Sequence, residues 1–148
     1  MNVGSTIQLL QAAMASLFLK SFVHVLGGLI TDNRAWTEEE ARMANGYYQT
    51  KHVSEILVGA AATHFRNPGT TFSIVKPGQI IRDVYTGVAN ADDFLWRVVM
   101  GAVRLGARPV DSETSWLSVS DVSHVTEYIL WHATGKSHEH FVHIKMGV

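Results

Sequence analysis

Apolar residues recur at helical spacing in several stretches of the chain, and short runs of β-branched and aromatic residues separate these stretches. The first stripe, with Ile7, Leu10, Met14 and Leu17, predicts a helix that ends near Lys20. Further helices are predicted at about residues 37–45, 47–65, 94–106 and 120–135. Strands are predicted at about residues 22–26, 70–75, 116–119 and 141–145. Helices therefore alternate with strands along the chain.

Polar residues at the ends of the apolar stripes support these boundaries. Thr37 and Glu40 fit a capping box at the start of the second helix, and Gly46 is expected to end that helix. Ser120 is the expected N-cap of the last helix, because its hydroxyl can accept from a free backbone N–H.

This alternation is typical of an α/β fold in which helices cover both faces of a parallel sheet. A Rossmann-type dinucleotide-binding sheet usually has about six parallel strands, whereas three are convincing here. The sequence also opens on a helix, and no Gly-x-Gly-x-x-Gly follows any predicted strand. We therefore interpret it as an incomplete Rossmann-type domain: the second half of the fold, without the N-terminal half that carries the glycine loop.

The composition excludes several classes of protein. The 148 residues carry 12 Lys and Arg against 13 Asp and Glu, a net charge of −1, which argues against electrostatic capture of nucleic acid or of an anionic membrane. Cysteine is absent, so the sequence has neither disulfides nor thiolate zinc ligands. Residues 1–19 lack the Lys or Arg of a secretory signal, and no run reaches the ~20 apolar residues of a membrane span. We expect a cytoplasmic protein.

The sharpest candidate for chemistry is the pair Tyr47 and Lys51. Residues four apart share one face of a helix and lie about 6 Å apart along its axis. A nearby ammonium favours the phenolate form of a tyrosine, and a tyrosine tuned in this way can donate a proton to a carbonyl oxygen as hydride reaches the carbon. The same spacing occurs by chance on many helices, so the pair alone leaves a purely structural role open.

Other polar residues have simpler explanations than catalysis. His138 and His140 lie close together near the C-terminus, but they lack the spacing of a zinc motif, and no metal site is predicted. Asp92 and Asp93 can be read as a carboxylate pair, yet the start of a helix accounts for their charge more simply. His24, on an apolar strand, is interpreted as a satisfied core histidine or as a residue that lines the site.

Several stretches of the sequence match, in order, the motifs of one enzyme family. They are Asn2-Val3-Gly4-Ser5-Thr6, Gly46-Tyr47-Tyr48-Gln49-Thr50-Lys51 followed by Glu55, Lys76-Pro77-Gly78-Gln79-Ile80, and Thr86-Gly87-Val88-Ala89-Asn90-Ala91-Asp92-Asp93-Phe94-Leu95. Together they resemble the C-terminal half of the thioester reductase domains of nonribosomal peptide synthetases, aminoadipate reductases and carboxylic acid reductases. These domains are extended members of the short-chain dehydrogenase/reductase superfamily. The resemblance spans residues 2 to 145, nearly the whole sequence.

This resemblance implies an NADPH-dependent reduction of a carrier-bound thioester, or of the aldehyde derived from it, in fungal-type secondary metabolism. It implies that Tyr47 is the proton donor and that Lys51 both tunes Tyr47 and contacts the cofactor ribose. Asn2 is implied to support Lys51 through a relay. Pro77 and Gly78 are implied to contact the cofactor.

The sequence departs from the family pattern in two places. The glycine-rich phosphate loop of the family lies upstream of the Asn-Val helix, at which this sequence begins. Gly27 stands where the family has a Ser or Thr that polarises the substrate carbonyl, and Thr31 can replace it only if the loop folds back. The alternative function is therefore a non-catalytic remnant or docking fragment, which would associate with a complementary reductase half or with a second copy of itself.

The same resemblance divides the sequence into two parts. Residues 1–80 are expected to form the second half of the Rossmann-type core. Residues 81–148 are expected to hold part of a small substrate subdomain and the last strand of the sheet.

Overall fold

Helices and strands alternate along the part of the chain that the structure, a computed structural model, describes. The described residues are 2–27, 38–43, 45–65, 70–107, 119–135 and 141–145. The helices are α1 (Asn2–Ala15), α2 (Glu38–Met43), α3 (Gly46–His64), α4 (Phe94–Leu105) and α5 (Val122–Ala133). The strands are β1 (Ser21–Val25), β2 (Thr71–Lys76), β3 (Gln79–Arg82), β4 (Val119–Asp121) and β5 (Phe141–Lys145).

Three strands form a parallel sheet in the order β1-β2-β5. Phe22 lies opposite Phe72 and Val25 opposite Val75, so β1 and β2 run together over their whole length. β2, in the middle, is almost entirely buried, as expected for a parallel strand covered on both faces, and half of its six residues are apolar. The predicted α/β class with a parallel sheet is confirmed.

One face of this sheet packs against α1 and α3. Phe72 and Ile74 of β2 are fully buried there. They form one cluster with Leu10 of α1 and with Val58 and Ala62 of α3. Alternation along β2 sends these two side chains to the same face, and the 3.6-residue period of α3 brings the two helical residues to meet them.

The opposite face of the sheet packs against α5. Val75 and Val125 are buried together there. On the same face, the Thr71 hydroxyl is buried without a hydrogen-bond partner among the described residues, whereas Ser73 has one. The Ser73 hydroxyl lies 3.1 Å from Nδ1 of His132 in a buried hydrogen bond between β2 and α5. The described sheet is therefore the middle layer of a three-layer α/β/α arrangement.

A second, two-stranded parallel sheet pairs β3 with β4, and the sequence did not predict β3. The predicted strand at residues 70–75 is followed by Pro77 and Gly78, and Gly78, with φ +72°, turns the chain directly into β3. The Ser120 hydroxyl of β4 donates to the Pro77 carbonyl oxygen and fixes this turn. Helix α4 is attached to the same sheet, because Trp96 Nε1 donates to the Ile81 carbonyl oxygen at 3.0 Å.

Three helix boundaries are formed by residues other than those predicted. α1 ends at Ala15 and not near Lys20. Just after this end, the Ser16 hydroxyl accepts from the backbone N–H of Phe18. α3 already includes Gly46, which was expected to lie before it. The N-cap of α5 is Asp121, not Ser120, and its carboxylate accepts from the backbone N–H of His124 at 2.8 Å.

Several predicted features lie outside the described residues. Helix α2 is present where the sequence predicted it. Thr37, its predicted N-cap, lies outside the described residues. Thr31, residues 116–118 of the expected strand, His138 and His140 also lie outside the described residues.

Helix α4 exposes much of its apolar surface in this chain. Phe94, Val103 and Leu105 are 77%, 71% and 81% exposed. None of the helices in the described ranges is both long and apolar enough to cross a membrane.

We expect Phe72→Ala to lower the free energy of unfolding by about 3–5 kcal/mol, because Phe72 is fully buried and its ring touches Phe22 and Phe65. Phe94→Ala is the matched control, since that ring is largely exposed, and should change stability by about 0.5 kcal/mol or less. Denaturant unfolding of the chain, followed by circular dichroism, measures both. Equal effects of the two substitutions would contradict the assigned core.

Candidate active site at the carboxyl ends of β1 and β2

The first turn of α3 is fixed by Asn45, whose signal as a helix start the sequence reading missed. The Asn45 backbone is extended, and its side-chain oxygen accepts from the N–H of Tyr48 at 3.1 Å. Tyr47 therefore lies in the first turn of the helix and Lys51 in the second. Both positions lie at the end of α3 that is nearest to Gly27.

The Tyr47 hydroxyl approaches the backbone just beyond β1. A Cβ atom built on Gly27 would lie 2.8 Å from Tyr47 Oη, closer than such atoms come in proteins. The missing side chain at residue 27 thus makes the space that the phenol oxygen occupies. The Tyr47 side chain is 52% exposed, so a molecule in solvent can reach it.

Lys51 lies against the ring of Tyr47. Its Nζ is 5.6 Å from the ring centroid, within the range of a cation–π contact. The structure therefore brings together the two residues that the sequence singled out. Tyr48 also packs edge-on against Tyr47, with ring centroids 5.4 Å apart, and limits the directions in which the Tyr47 ring can move.

An ion pair at the end of β2 borders this face of α3. Lys76 Nζ lies 2.6 Å from Glu55 Oε1, and the two side chains are only 9% and 18% exposed. Sequence reasoning named both residues within motifs but did not predict that they meet. The one feature of the sequence that pointed to Glu55 as part of the site was its position, one helical turn after Lys51.

His24 lies beneath the same cluster. It pairs with Ile74 across β1 and β2, so its side chain is on the face of the sheet that α3 covers. Burial lowers the pKa of His24 below 6.5, the nearby Lys51 charge lowers it further, and Glu55 opposes both effects. Its Nε2 is buried without a hydrogen-bond partner among the described residues, so the histidine is not the satisfied core residue that the sequence suggested.

Two of the other residues implied by the family resemblance, Pro77 and Gly78, lie at this edge of the sheet. Pro77 and Gly78 follow β2 directly, at the edge of the sheet where Gly27 follows β1. Asn2 is the first residue of α1. That helix packs along α3, and a buried hydrogen bond of 3.2 Å joins Thr6 to Ser54 between them.

One of the two carboxylates at the start of α4, that of Asp93, has structural partners. Asp93 is the N-cap and accepts from the N–H of Leu95 at 3.1 Å. It also accepts from Gln79 Nε2 at 2.6 Å, which ties α4 to β3. The helix-start interpretation of Asp93 therefore holds. Within the described ranges no group of three or more His, Asp or Glu is placed to hold a metal ion.

Comparison with known proteins decides the family. Residues 1–129 match the model of the NAD-binding family described as "Male sterility protein". The chain belongs to this family. It is part of a thioester reductase domain of the extended short-chain dehydrogenase/reductase type, as the relatives and structural neighbours also indicate.

Two curated fungal proteins and one solved structure represent these neighbours. The chain is 40% identical over 127 residues to D-lysergyl-peptide-synthetase subunit 3 of Claviceps purpurea, covering 82% of the chain and 7% of that protein. It is 39% identical over 134 residues to the nonribosomal peptide synthetase-like enzyme fsqF of Aspergillus fumigatus, covering 87% of the chain and 9% of that protein. The PhqB reductase domain of Penicillium fellutanum superimposes with a TM-score of 0.77 at 30% identity, over 99% of the chain and 38% of that structure.

These figures set the extent of the likeness. The chain spans less than a tenth of each of the two curated relatives and well under half of the solved reductase domain. The fold of the neighbours is a Rossmann fold, of which the chain represents one part.

We expect His24 to make the chain sensitive to mild acid. Because the pKa of His24 is lowered in the folded state, the unfolded chain binds more protons as the pH falls below 6.5, and stability is lost towards the folded-state pKa. His24→Phe should reduce this loss, whereas His124→Gln, a change on the exposed side of α5, should leave it in place. Unfolding free energies measured from about pH 7 to pH 5 test this. An identical pH profile for His24→Phe and the unmodified chain would be inconsistent with a desolvated His24.

Proposed function

We propose that this chain supplies the proton-donating part of an NADPH-dependent reductase that acts on a carrier-bound thioester or on the aldehyde derived from it. One observation carries the proposal. The Tyr47 hydroxyl lies against Gly27 at the carboxyl end of β1, and the Lys51 ammonium lies over its ring. Ligands of open α/β sheets bind at this edge.

The residues at this edge fit a nicotinamide cofactor. Tyr47 is half exposed, its hydroxyl lies against the backbone at Gly27, and Lys51 offers three N–H donors to ribose hydroxyls. We assign Tyr47, Lys51, Pro77 and Gly78 to the cofactor-binding surface. When bound, the cofactor supplies the hydride. Membership of an NAD-binding family supports this assignment, and the preference for NADPH is part of the proposal.

The protein residues then handle the proton. Tyr47 Oη donates to the carbonyl oxygen of the substrate, which gains negative charge during the reduction. The Lys51 charge stabilises the phenolate that remains, because the pair lies in a partly buried site where charges interact more strongly than in water. Asn2 is proposed to support Lys51 through a relay.

The substrate class rests on the resemblance and on the names of the relatives. Two of them are named as peptide synthetases or enzymes like them, and the structural neighbour is named as a reductase domain. Synthetases of this kind carry their products as thioesters, which makes a carrier-bound thioester the natural substrate. The alternative, a non-catalytic remnant or docking fragment, predicts no turnover in any combination with a complementary reductase half.

Tyr47→Phe should abolish NADPH oxidation, because it removes the proton donor and leaves the ring contacts in place. The assay combines the chain with the N-terminal half of a related reductase domain and a carrier-bound thioester. Tyr48→Phe, one residue along the same helix, is the matched control and should keep the activity. Equal activity of Tyr47→Phe and the unmodified chain would rule out the catalytic assignment. Lack of any turnover in a complex shown to form would favour the remnant.

Gly27→Ser should raise turnover relative to Gly27→Ala. Either Cβ pushes the exposed end of Tyr47 aside, but only serine adds a hydroxyl at the position where the family has a Ser or Thr. One such donor stabilises a developing oxyanion by roughly 2.7–4 kcal/mol, so we expect the serine variant to exceed the alanine variant by about tenfold or more in kcat. Indistinguishable rates for the two variants would mean that residue 27 does not face the reacting carbonyl.

A further inference from the structure

Lys51 lies between two side chains of α3 that both attract an ammonium. Tyr47 precedes it by one helical turn and Glu55 follows it by one turn, so the three share one face of the helix. A charge-assisted hydrogen bond to a carboxylate is stronger than a contact with an aromatic ring. Lys51 is therefore expected to turn towards Glu55 unless another cation holds that carboxylate.

Lys76 is that cation. Its Nζ donates to Glu55 Oε1 at 2.6 Å. Both side chains are largely buried, so water competes little for either charge. Lys51 Nζ meanwhile lies over the Tyr47 ring. Because Lys76 is the last residue of β2 and pairs with β5, its backbone is fixed by the sheet and not by the helix that it contacts.

We propose that Lys76 is a positioning residue: by holding Glu55, it keeps this carboxylate away from Lys51 and leaves the Lys51 ammonium directed at Tyr47. The consequence for reduction rests on the proposed function, whereas the arrangement of charges does not. Lys76 and Glu55 belong to separate motifs of the sequence, and through this contact both act on the position of Lys51.

His24 provides a readout of these charges that needs no turnover. Lys51 and Glu55 face it from α3 and act on its pKa in opposite directions. Lys76 lies on the same face of the sheet, two residues beyond Ile74, the residue that pairs with His24. A change in how Glu55 is neutralised must therefore move the titration of His24.

The first experiment follows the His24 imidazole by NMR titration in the 148-residue chain. Lys76→Met should raise the pKa of His24, because the Glu55 charge is no longer neutralised. Glu55→Gln should lower that pKa, and the variant with both changes should return it close to the unmodified value. Lys20→Met, which removes an exposed lysine, is the control and should leave it unchanged.

The second experiment measures turnover of the same variants with the complementary reductase half. Lys76→Met should lower kcat by about tenfold or more, since displacement of a catalytic group by about 1 Å can cost up to a hundredfold, with little effect on the substrate KM. Adding Glu55→Gln should restore most of the loss, because no carboxylate then competes for Lys51. Lys76→Arg keeps the charge and should retain turnover. If Lys76→Met fails to fold, Lys76→Gln replaces it in the His24 titration alone, because its amide removes the charge but can still donate to Glu55.

Two results overturn the proposal: a His24 titration that is unchanged when the Lys76 charge is removed, or a loss of kcat that Glu55→Gln does not reverse. Failure of the proposed function has a different signature. If the unmodified chain gives no turnover while the His24 titration shifts as expected, the charge arrangement stands and the reductase assignment falls.

Discussion

The packing of α3 against the face shared by β1 and β2 is the constraint on which the rest of the molecule depends. The buried residues of α3, Ser54, Val58 and Ala62, hold it against α1 and β2 at helical spacing. A neighbouring stripe on the same helix carries Tyr47 and Lys51. The core contacts thus fix the rotation and depth of the helix, and this rotation delivers the Tyr47 hydroxyl to the end of β1.

The electrostatics of the site follow from the same placement. A partly buried edge cannot hold several unpaired charges, and two opposite charges there, Lys76 and Glu55, cancel each other. Burial and the positive charge of Lys51 lower the pKa of His24, and Glu55 opposes them. Among the described residues, the Lys51 ammonium lies over the ring of Tyr47, and in the proposed function it stabilises the phenolate that forms there.

The features that the sequence predicted are those set by local periodicity. The sequence predicted the apolar stripe of α3, the strand β2, and the helix face that Tyr47 and Lys51 share. Contacts between residues that are distant in the sequence could not be predicted in this way. The meeting of Lys76 with Glu55 and the approach of Tyr47 to Gly27 depend on how the strand ends are aligned under the helix, which no spacing within one element encodes.

β3 was missed, and β4 was predicted only at Val119, for a related reason. β3 has four residues and pairs with the three-residue β4, so neither is long enough to show an alternating pattern. Their pairing depends on the turn at Gly78 and on the Ser120 hydroxyl, which closes it from more than forty residues away. Likewise, the helix start at Asn45 was hidden by Gly46, which reads as a terminator although here it is the first helical residue.

The central claim is that Tyr47 donates a proton to the substrate carbonyl oxygen as hydride reaches the carbon, and that Lys51 supports Tyr47 in this role. A crystal structure of the chain combined with a complementary reductase half, NADPH and a substrate analogue tests it most directly. The account predicts Tyr47 Oη within about 3 Å of the carbonyl oxygen of the analogue and Lys51 Nζ facing the ribose hydroxyls. A carbonyl oxygen bound by other groups, with Tyr47 turned away from the cofactor, would contradict it.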